Sequence, residues 1–313
     1  MKILVFGSNG LVGKSVVTTL SNSQKNMTVF GSTRKDTNLF NYEETFNTIS
    51  EFQPNIIINT AAKVGGIVAN NTQRVEFILE NLKINMNILE SLKSFQKIKL
   101  INLGSSCIYP LNAQNPIKEE YIMSGELEPT NSPYAMAKLT AIEIGDALTS
   151  QYGNKIVNLM PTNLYGPNDN FSKTESHVIP GLISRMHESK INNNEDFKIW
   201  GTGTPLREFL FVEDLAKAIE FVIVNEIETN ILNVGSNEEI SISDLASVVK
   251  EVTGFKGNLD FDESKPDGNP RKLLDSSKIF NLGWKPKTDL KDGIKITYDW
   301  YLNNVKNLWD IPK

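Results

Sequence analysis

Over the first half of the chain, short apolar runs alternate with helical patterns, and this alternation limits the fold more than any other feature. Ile3–Phe6, Met27–Phe30, Ile56–Ile58, Leu100–Leu103 and Ile156–Leu159 read as strands. Between them, Leu11–Leu20, Tyr42–Phe52, Thr72–Phe95 and Tyr134–Tyr152 read as helices. In the third of these, Phe77, Ile78, Leu82, Met86, Leu89 and Leu92 recur at helical spacing. Strands taken in turn with helices predict a parallel sheet covered on both faces. Right-handed crossovers make that an α/β, doubly wound, Rossmann-type fold.

After Pro161 the pattern loosens. Residues 161–176 are rich in Pro, Asn, Gly and Ser and read as a loop. A helix is expected over Val178–Glu188, a strand over Phe209–Val212, a helix over Leu215–Val224 and a strand over Ile231–Val234. Ser243 is expected to cap a helix that ends at Val252. Residues 1–164 plus about 209–234 are expected to form a dinucleotide-binding domain, and about 165–208 plus 235–313 a smaller C-terminal α/β substrate domain.

Charge and composition exclude several classes. The 32 basic residues are outnumbered by 37 acidic ones, a net of -5. That is no electrostatic footprint for nucleic acid or an anionic membrane. The best candidate for a membrane span, Phe209–Val224, is broken by Glu213, Asp214, Lys217 and Glu220. Met1–Lys2 leads into too short an apolar run for a signal peptide, so a cytoplasmic protein is expected. One cysteine, Cys107, and two histidines, His177 and His187, allow no internal disulfide and suggest no metal site. His187 lies in no motif and reads as a helix-surface residue.

Gly7-Ser8-Asn9-Gly10-Leu11-Val12-Gly13 lies between the first strand and the first helix. Glycines there permit a tight turn and close approach of backbone to a pyrophosphate, and the helix start offers free N–H donors. The next strand ends in Gly31-Ser32-Thr33-Arg34-Lys35, with no carboxylate before Asp36. Arg34 and Lys35 suit the 2′-phosphate of NADPH, or else form a solvated basic turn. Tyr134 and Lys138 stand four apart on a helix and share a face. A neighbouring ammonium and the cofactor's positive nicotinamide are expected to lower the phenol pKa so that Tyr134 exchanges a proton near neutrality. Ser105, at the end of the fourth strand, is placed to polarise a carbonyl beside it. Y-x-x-x-K alone is a common surface pair, and Ser105 gives it weight.

Glycine loop, Ser105, Tyr134 and Lys138 resemble the extended short-chain dehydrogenase/reductase superfamily. The blocks Ala61–Asn70, Gly104–Pro110, Pro161–Pro167, Ser176–Pro180, Trp200–Phe209 and Lys265-Pro266-Asp267-Gly268 resemble the GDP-L-fucose synthase family, from residue 3 to about 303. That resemblance implies 3,5-epimerisation and NADPH-dependent 4-reduction of GDP-4-keto-6-deoxy-D-mannose. It implies that Tyr134 is the general acid, Lys138 its ribose-anchoring partner and Ser105 its companion, with Cys107 and His177 as base and acid for the epimerisations. It places Leu103, Gly104, Ser105, Ser106, Pro161, Thr162, Asn163, Leu164 and His177 along the cofactor. Ser106, Cys107, Asn163, Arg185, Trp200, Arg207, Asp267 and Lys272 would meet the sugar nucleotide. It also implies a homodimer through a four-helix interface. The family often carries an arginine where this chain has Asn9.

The chemistry suits those residues. A 4-ketone acidifies the C3 and C5 hydrogens, and a thiolate and an imidazole both titrate near neutrality. An adjacent carboxylate pair, expected of a 4,6-dehydratase, is replaced by Ser106-Cys107. A plain 4-epimerase leaves Cys107 and His177 without work. A related GDP-6-deoxy-4-keto sugar or a heptose remains an alternative substrate, and a non-catalytic cofactor-binding scaffold is the reading from another class.

Overall fold

A computed structural model describes residues 1–172, 175–265 and 267–309. The first half runs β1 (Lys2–Phe6), α1 (Leu11–Ser21), β2 (Thr28–Ser32), α2 (Tyr42–Phe52), β3 (Ile56–Asn59), α3 (Ile67–Thr72), α4 (Arg74–Ser91), β4 (Lys99–Leu103), α5 (Ser132–Tyr152) and β5 (Ile156–Pro161). Next come β6 (Asn163–Tyr165), α6 (Val178–Ile191), β7 (Asp196–Trp200), β8 (Leu206–Phe211), α7 (Val212–Val224) and β9 (Ile231–Val234). The chain closes with β10 (Glu239–Ser241), α8 (Ile242–Thr253), β11 (Asn258–Asp262), β12 (Arg271–Lys272), α9 (Ser277–Asn281) and α10 (Leu290–Trp309).

The main sheet has the order β2-β1-β3-β4-β5-β9, and all its pairs are parallel. Successive side chains of a strand point to opposite faces, and β1 divides accordingly. Ile3 and Val5 pack in a core with Val16 and Leu20 of α1 and Leu215, Ile219 and Val222 of α7. Leu4 and Phe6 pack on the other face with Ile49, Ile84, Ile88 and Leu148, from α2, α4 and α5. The expected Rossmann-type, doubly wound fold is therefore present. Strand order reverses between β1 and β3, and such a reversal opens a crevice at the strand carboxyl ends. A second core joins Phe209 and Phe211 of β8 to α6, α8 and α10. Strand β8 pairs with β10, β12 and β6 outside the main sheet.

Several local expectations are corrected. The helix expected over Thr72–Phe95 runs over Arg74–Ser91, and a separate α3 precedes it, the two divided at Gln73, whose φ/ψ of -113°/44° leaves the helical region. The loop expected over residues 161–176 contains β6, which needs β8, distant in sequence, to pair with. Ser241 rather than Ser243 caps α8, accepting from Asp244 N at 3.0 Å. His187 is not a free surface residue, since its Nδ1 lies 2.9 Å from Tyr298 Oη. Pro266, quoted in the sequence resemblance, lies outside the described residues. No helix among the described residues is long and apolar enough to cross a membrane.

A row of buried amides crosses the parallel sheet just below its carboxyl ends. Asn59 Nδ2 donates to Asn85 Oδ1 at 3.1 Å and to Asn102 Oδ1 at 3.0 Å. Asn102 Nδ2 donates to Asn158 Oδ1 at 3.2 Å, and Asn158 Nδ2 reaches Asn230 Oδ1 at 3.2 Å. Asn81 continues the row by bonding both N and O of Lys63, in the loop after β3. The row fixes β3, β4 and β5 side by side where the site is built. Replacing Asn102 by leucine strands one Asn59 N–H and the Asn158 Oδ1. Each buried unpaired group costs roughly 1–3 kcal/mol, so Asn102→Leu is expected to lose about 2–4 kcal/mol in urea unfolding.

Candidate active site

The glycine loop has the shape that a close ligand approach needs. Gly7 has φ +79°, and a Cβ there would lie 2.7 Å from the Ala61 backbone, across the β1/β3 reversal. A Cβ on Gly13 would lie 2.1 Å from Gly7 O. Gly10 caps α1 without any side-chain hydrogen bond, so no side chain covers the first turn. The cleft above is lined by Gly7, Asn9, Gly10, Thr33, Arg34 and Phe40, among others. Arg34 stacks its guanidinium 5.3 Å from the Phe40 ring. Asp36 turns away, its Oδ2 accepting from Thr33 N at 2.9 Å and Thr33 Oγ1 at 2.6 Å. The strand end thus offers a cation and no carboxylate to the cleft, which suits a 2′-phosphorylated dinucleotide.

Ser105, Cys107, Tyr134 and Lys138 meet at the carboxyl end of β4. Ser105 caps the short 3-10 turn Ser106–Ile108, its Oγ accepting from Cys107 N at 3.2 Å. This turn aims the sulfur out of the sheet end while Ser106 is buried beneath it. Gly104 is required behind it, because a Cβ would meet Met160 Sδ at 2.3 Å. Tyr134 packs edge-on against Phe77, with centroids 6.3 Å apart, and its phenol hydrogen-bonds Ser105. Lys138 is buried and its Nζ donates to Leu103 O at 2.7 Å, 5.8 Å from the Tyr134 ring centroid.

Within the protein itself, Lys138 is not among the groups that shift the Tyr134 pKa. Burial pushes the phenol well above its usual range, the Cys107 sulfur adds to the rise, and only the Ser105 hydrogen bond opposes it. Burial acts on Lys138 in the other direction and brings it down to about 8.

The remaining candidates lie on β5, β6, β7, β8, β12, α6 and the loops beside them. Lys272 Nζ lies 3.6 Å from Cys107 Sγ. Arg207 donates to Leu206 O at 2.9 Å and to Asp267 O at 3.2 Å. A salt bridge to Glu208 is absent among the described residues. Asp267 spends its carboxylate on Thr202, accepting from N at 2.7 Å and Oγ1 at 2.8 Å. Arg185 lies against Phe197 and Trp200, at 4.7 Å and 5.7 Å from their rings. Trp200 is 50% exposed, an aromatic face left open rather than a core residue. Asn163 Nδ2 and Thr162 Oγ1 both donate to Glu208 O, while Pro161 and Leu164 belong to β5 and β6. His177 caps α6 with an extended backbone, and desolvation lowers its pKa. Among the described residues no hydrogen bond joins its imidazole to Cys107 or Tyr134. Sequence reasoning missed Phe40, which supports Arg34, and Phe77, which supports Tyr134. Both read simply as helix-flanking or core aromatics.

The model for the NAD dependent epimerase/dehydratase family matches residues 3–235. GDP-L-fucose synthase 1 of Arabidopsis thaliana is 47% identical over 306 residues, 98% of this chain and 94% of that protein. The chain belongs to the NAD dependent epimerase/dehydratase family, in its GDP-L-fucose synthase branch. Among solved structures of this family, a GDP-L-fucose synthetase from Naegleria fowleri bound to NADP is similar, with TM-score 0.88 and 30% identity. It covers 97% of this chain and 95% of that one. A GDP-6-OMe-4-keto-L-xylo-heptose reductase from C. jejuni is similar too, with TM-score 0.88, 32% identity and coverage of 97% and 98%.

The buried lysine of this family member yields a direct prediction. Its neutral form is the better buried one, so the stabilisation present above the ordinary pKa of about 10.4 is lost as pH falls through about 8. In selectively labelled protein the Lys138 Cε resonance should titrate with a midpoint near 8. A midpoint at the ordinary lysine value would contradict the dry surroundings drawn for it.

Proposed function

We propose that this chain converts GDP-4-keto-6-deoxy-D-mannose to GDP-L-fucose, epimerising C3 and C5 and then reducing C4 with NADPH. The observation that carries the reading is the meeting of Ser105, Tyr134, Lys138 and Cys107 at one strand end, beside the glycine-loop cleft. The glycine loop and the α1 start suit the dinucleotide's pyrophosphate, Arg34 its 2′-phosphate, and Lys138 its ribose. NADPH, when bound, supplies the hydride.

The residues divide the proton work. A phenol held neutral by burial stays protonated at working pH and can donate to the developing C4 alkoxide, with Ser105 bonded to the same oxygen system. Cys107 takes the C3 or C5 proton, and that C–H electron pair passes into the enolate of the 4-ketone. His177 returns a proton on the opposite face. An acid and a base working on two faces of one sugar ring have no need to touch each other, in keeping with the lack of a hydrogen bond between them. Arg207, Arg185 and the open face of Trp200 supply cations and a stacking surface for the sugar nucleotide.

With purified protein, NADPH oxidation should follow addition of GDP-4-keto-6-deoxy-D-mannose, and NMR should identify the product as GDP-L-fucose. Tyr134→Phe should slow that oxidation by roughly 10²–10⁴-fold with cofactor affinity kept. Folded wild-type protein that oxidises no NADPH would refute the reductase reading. The similarity to a heptose reductase favours a second reading, a related GDP-4-keto sugar or heptose as substrate, and product NMR separates the two. The division into a dinucleotide lobe, 1–164 with about 209–234, and a substrate lobe is part of this reading, as is a cytoplasmic location.

We also infer a homodimer through α4 and α5. Leu79 and Met86 of α4 and Met136 of α5 are 46–48% exposed, apolar side chains on two long helices that pack on each other. Light scattering should give twice the 35.0 kDa chain mass, and Leu79→Glu should yield monomer. A wild-type monomer at micromolar concentration would overturn the dimer.

A further inference from the structure

We propose that Lys272 is a positioning residue for Cys107, holding negative charge on its sulfur, and not only a contact for the sugar nucleotide. The proposal rests on the reading of Cys107 as the base. Lys272 Nζ stands 3.6 Å from Cys107 Sγ. Among the described residues Lys272 has no carboxylate partner, so the sulfur is the group its ammonium serves.

The distance is set by two pinned backbones rather than by two free side chains. On one side Cys107 N is held by Ser105 Oγ. On the other, Lys272 pairs with Arg207 in the β12–β8 register. The next two residues are fixed as well, Leu273 N donating to Asn115 Oδ1 at 2.7 Å and Leu274 N to Glu208 Oε2 at 3.0 Å. Among the described residues the Tyr134 phenol on α5 also faces Cys107, and burial keeps it neutral. An ammonium at contact distance stabilises a thiolate, and the thiolate is the form that takes a proton.

The step balances within the substrate and the cysteine. The sulfur gains the carbon-bound proton, the C–H pair enters the enolate, and Lys272 then faces a neutral thiol until that proton leaves to solvent. Lys272 therefore acts on proton abstraction, whereas hydride transfer to C4 does not involve the sulfur.

Because Cys107 is the single cysteine of the chain, iodoacetamide labelling followed by mass spectrometry reports this sulfur alone, without substrate or cofactor. Near neutral pH, Lys272→Met should slow labelling by about tenfold, and Lys272→Arg should restore most of the rate. Lys272→Gln serves as a second neutral variant, and circular dichroism establishes that each is folded. Solvent deuterium uptake at C3 and C5 of the substrate should fall in the same order. Equal labelling of wild type, Lys272→Met and Lys272→Gln, or failure of arginine to restore it, overturns the role of Lys272. If Cys107→Ser retains full deuterium uptake, the base reading falls and this proposal falls with it. Lost uptake in Cys107→Ser with equal labelling rates removes the Lys272 role alone.

Discussion

Glu208 has no exposed surface, and among the described residues no cation pairs with it, yet separate segments of the chain converge on its atoms. Its carboxylate accepts from Asn237 N at 2.8 Å and from Leu274 N at 3.0 Å. Its carbonyl accepts from Thr162 Oγ1 and Asn163 Nδ2. Burial raises the carboxyl pKa, and the backbone N–H bonds pull it back. Gly235 has to be glycine to admit this side chain, since a Cβ would lie 2.2 Å from Glu208 Oε1. The consequence is positional. Glu208 ties the end of β5 to β8 and β12, so Arg207 and Lys272 are held beside a site whose floor is the end of β4. A buried carboxylate is a poor source of net stability, but its bonds converge in a way that an apolar side chain could not reproduce.

Desolvation organises the chemistry on that floor. It moves Tyr134 up and Lys138 down, so each is drawn toward its neutral form. The usual picture of a lysine activating a tyrosine through its charge asks for the opposite of what the phenol shows. What Lys138 does have is a fixed place, with its Nζ on Leu103 O at the end of β4. Lysine as an anchor and tyrosine as a donor that arrives protonated belong to the proposed reaction, and the burial of both groups supports that reading.

The Rossmann half was legible because its signals are local. Each strand there is a short apolar run closed by polar or turn residues, and Gly7 and Gly13 sit at the one bend where a side chain would collide. Ser105 and the Tyr134–Lys138 pair were legible for a related reason, since strand-end position and four-residue helical spacing are both written in the sequence. The second half was less legible because β6, β7, β10, β11 and β12 are short and exist through partners far along the chain. The asparagine row escaped notice because asparagine ordinarily marks turns, and only the sheet reveals that Asn59, Asn102 and Asn158 stand in line. Glu208 and Asp267 accept from backbone N–H groups of distant segments, a role that only the folded chain reveals.

Chemistry and recognition thus rest on different kinds of structure. Ser105, Cys107, Tyr134 and Lys138 stand at the end of β4, on a 3-10 turn and on α5, braced by the amide row and by close-packed glycine contacts, where displacement of an atom would cost buried hydrogen bonds. The segment from Trp200 to Arg207 and the residues around Asp267, where we propose that the sugar nucleotide binds, include Gly201, Gly203 and Gly268 in left-handed conformations. Asp267 staples this region through Thr202 while its own carbonyl receives Arg207. Turns held by side-chain bonds can exchange residues without disturbing a sheet, so the identity of the sugar can vary over a constant reaction core. Lys272 is the exception that joins the two, because it is carried by the recognition half and touches the sulfur of the catalytic half. Its placement means that the register of β12 on β8, and hence Glu208, sets the environment of Cys107.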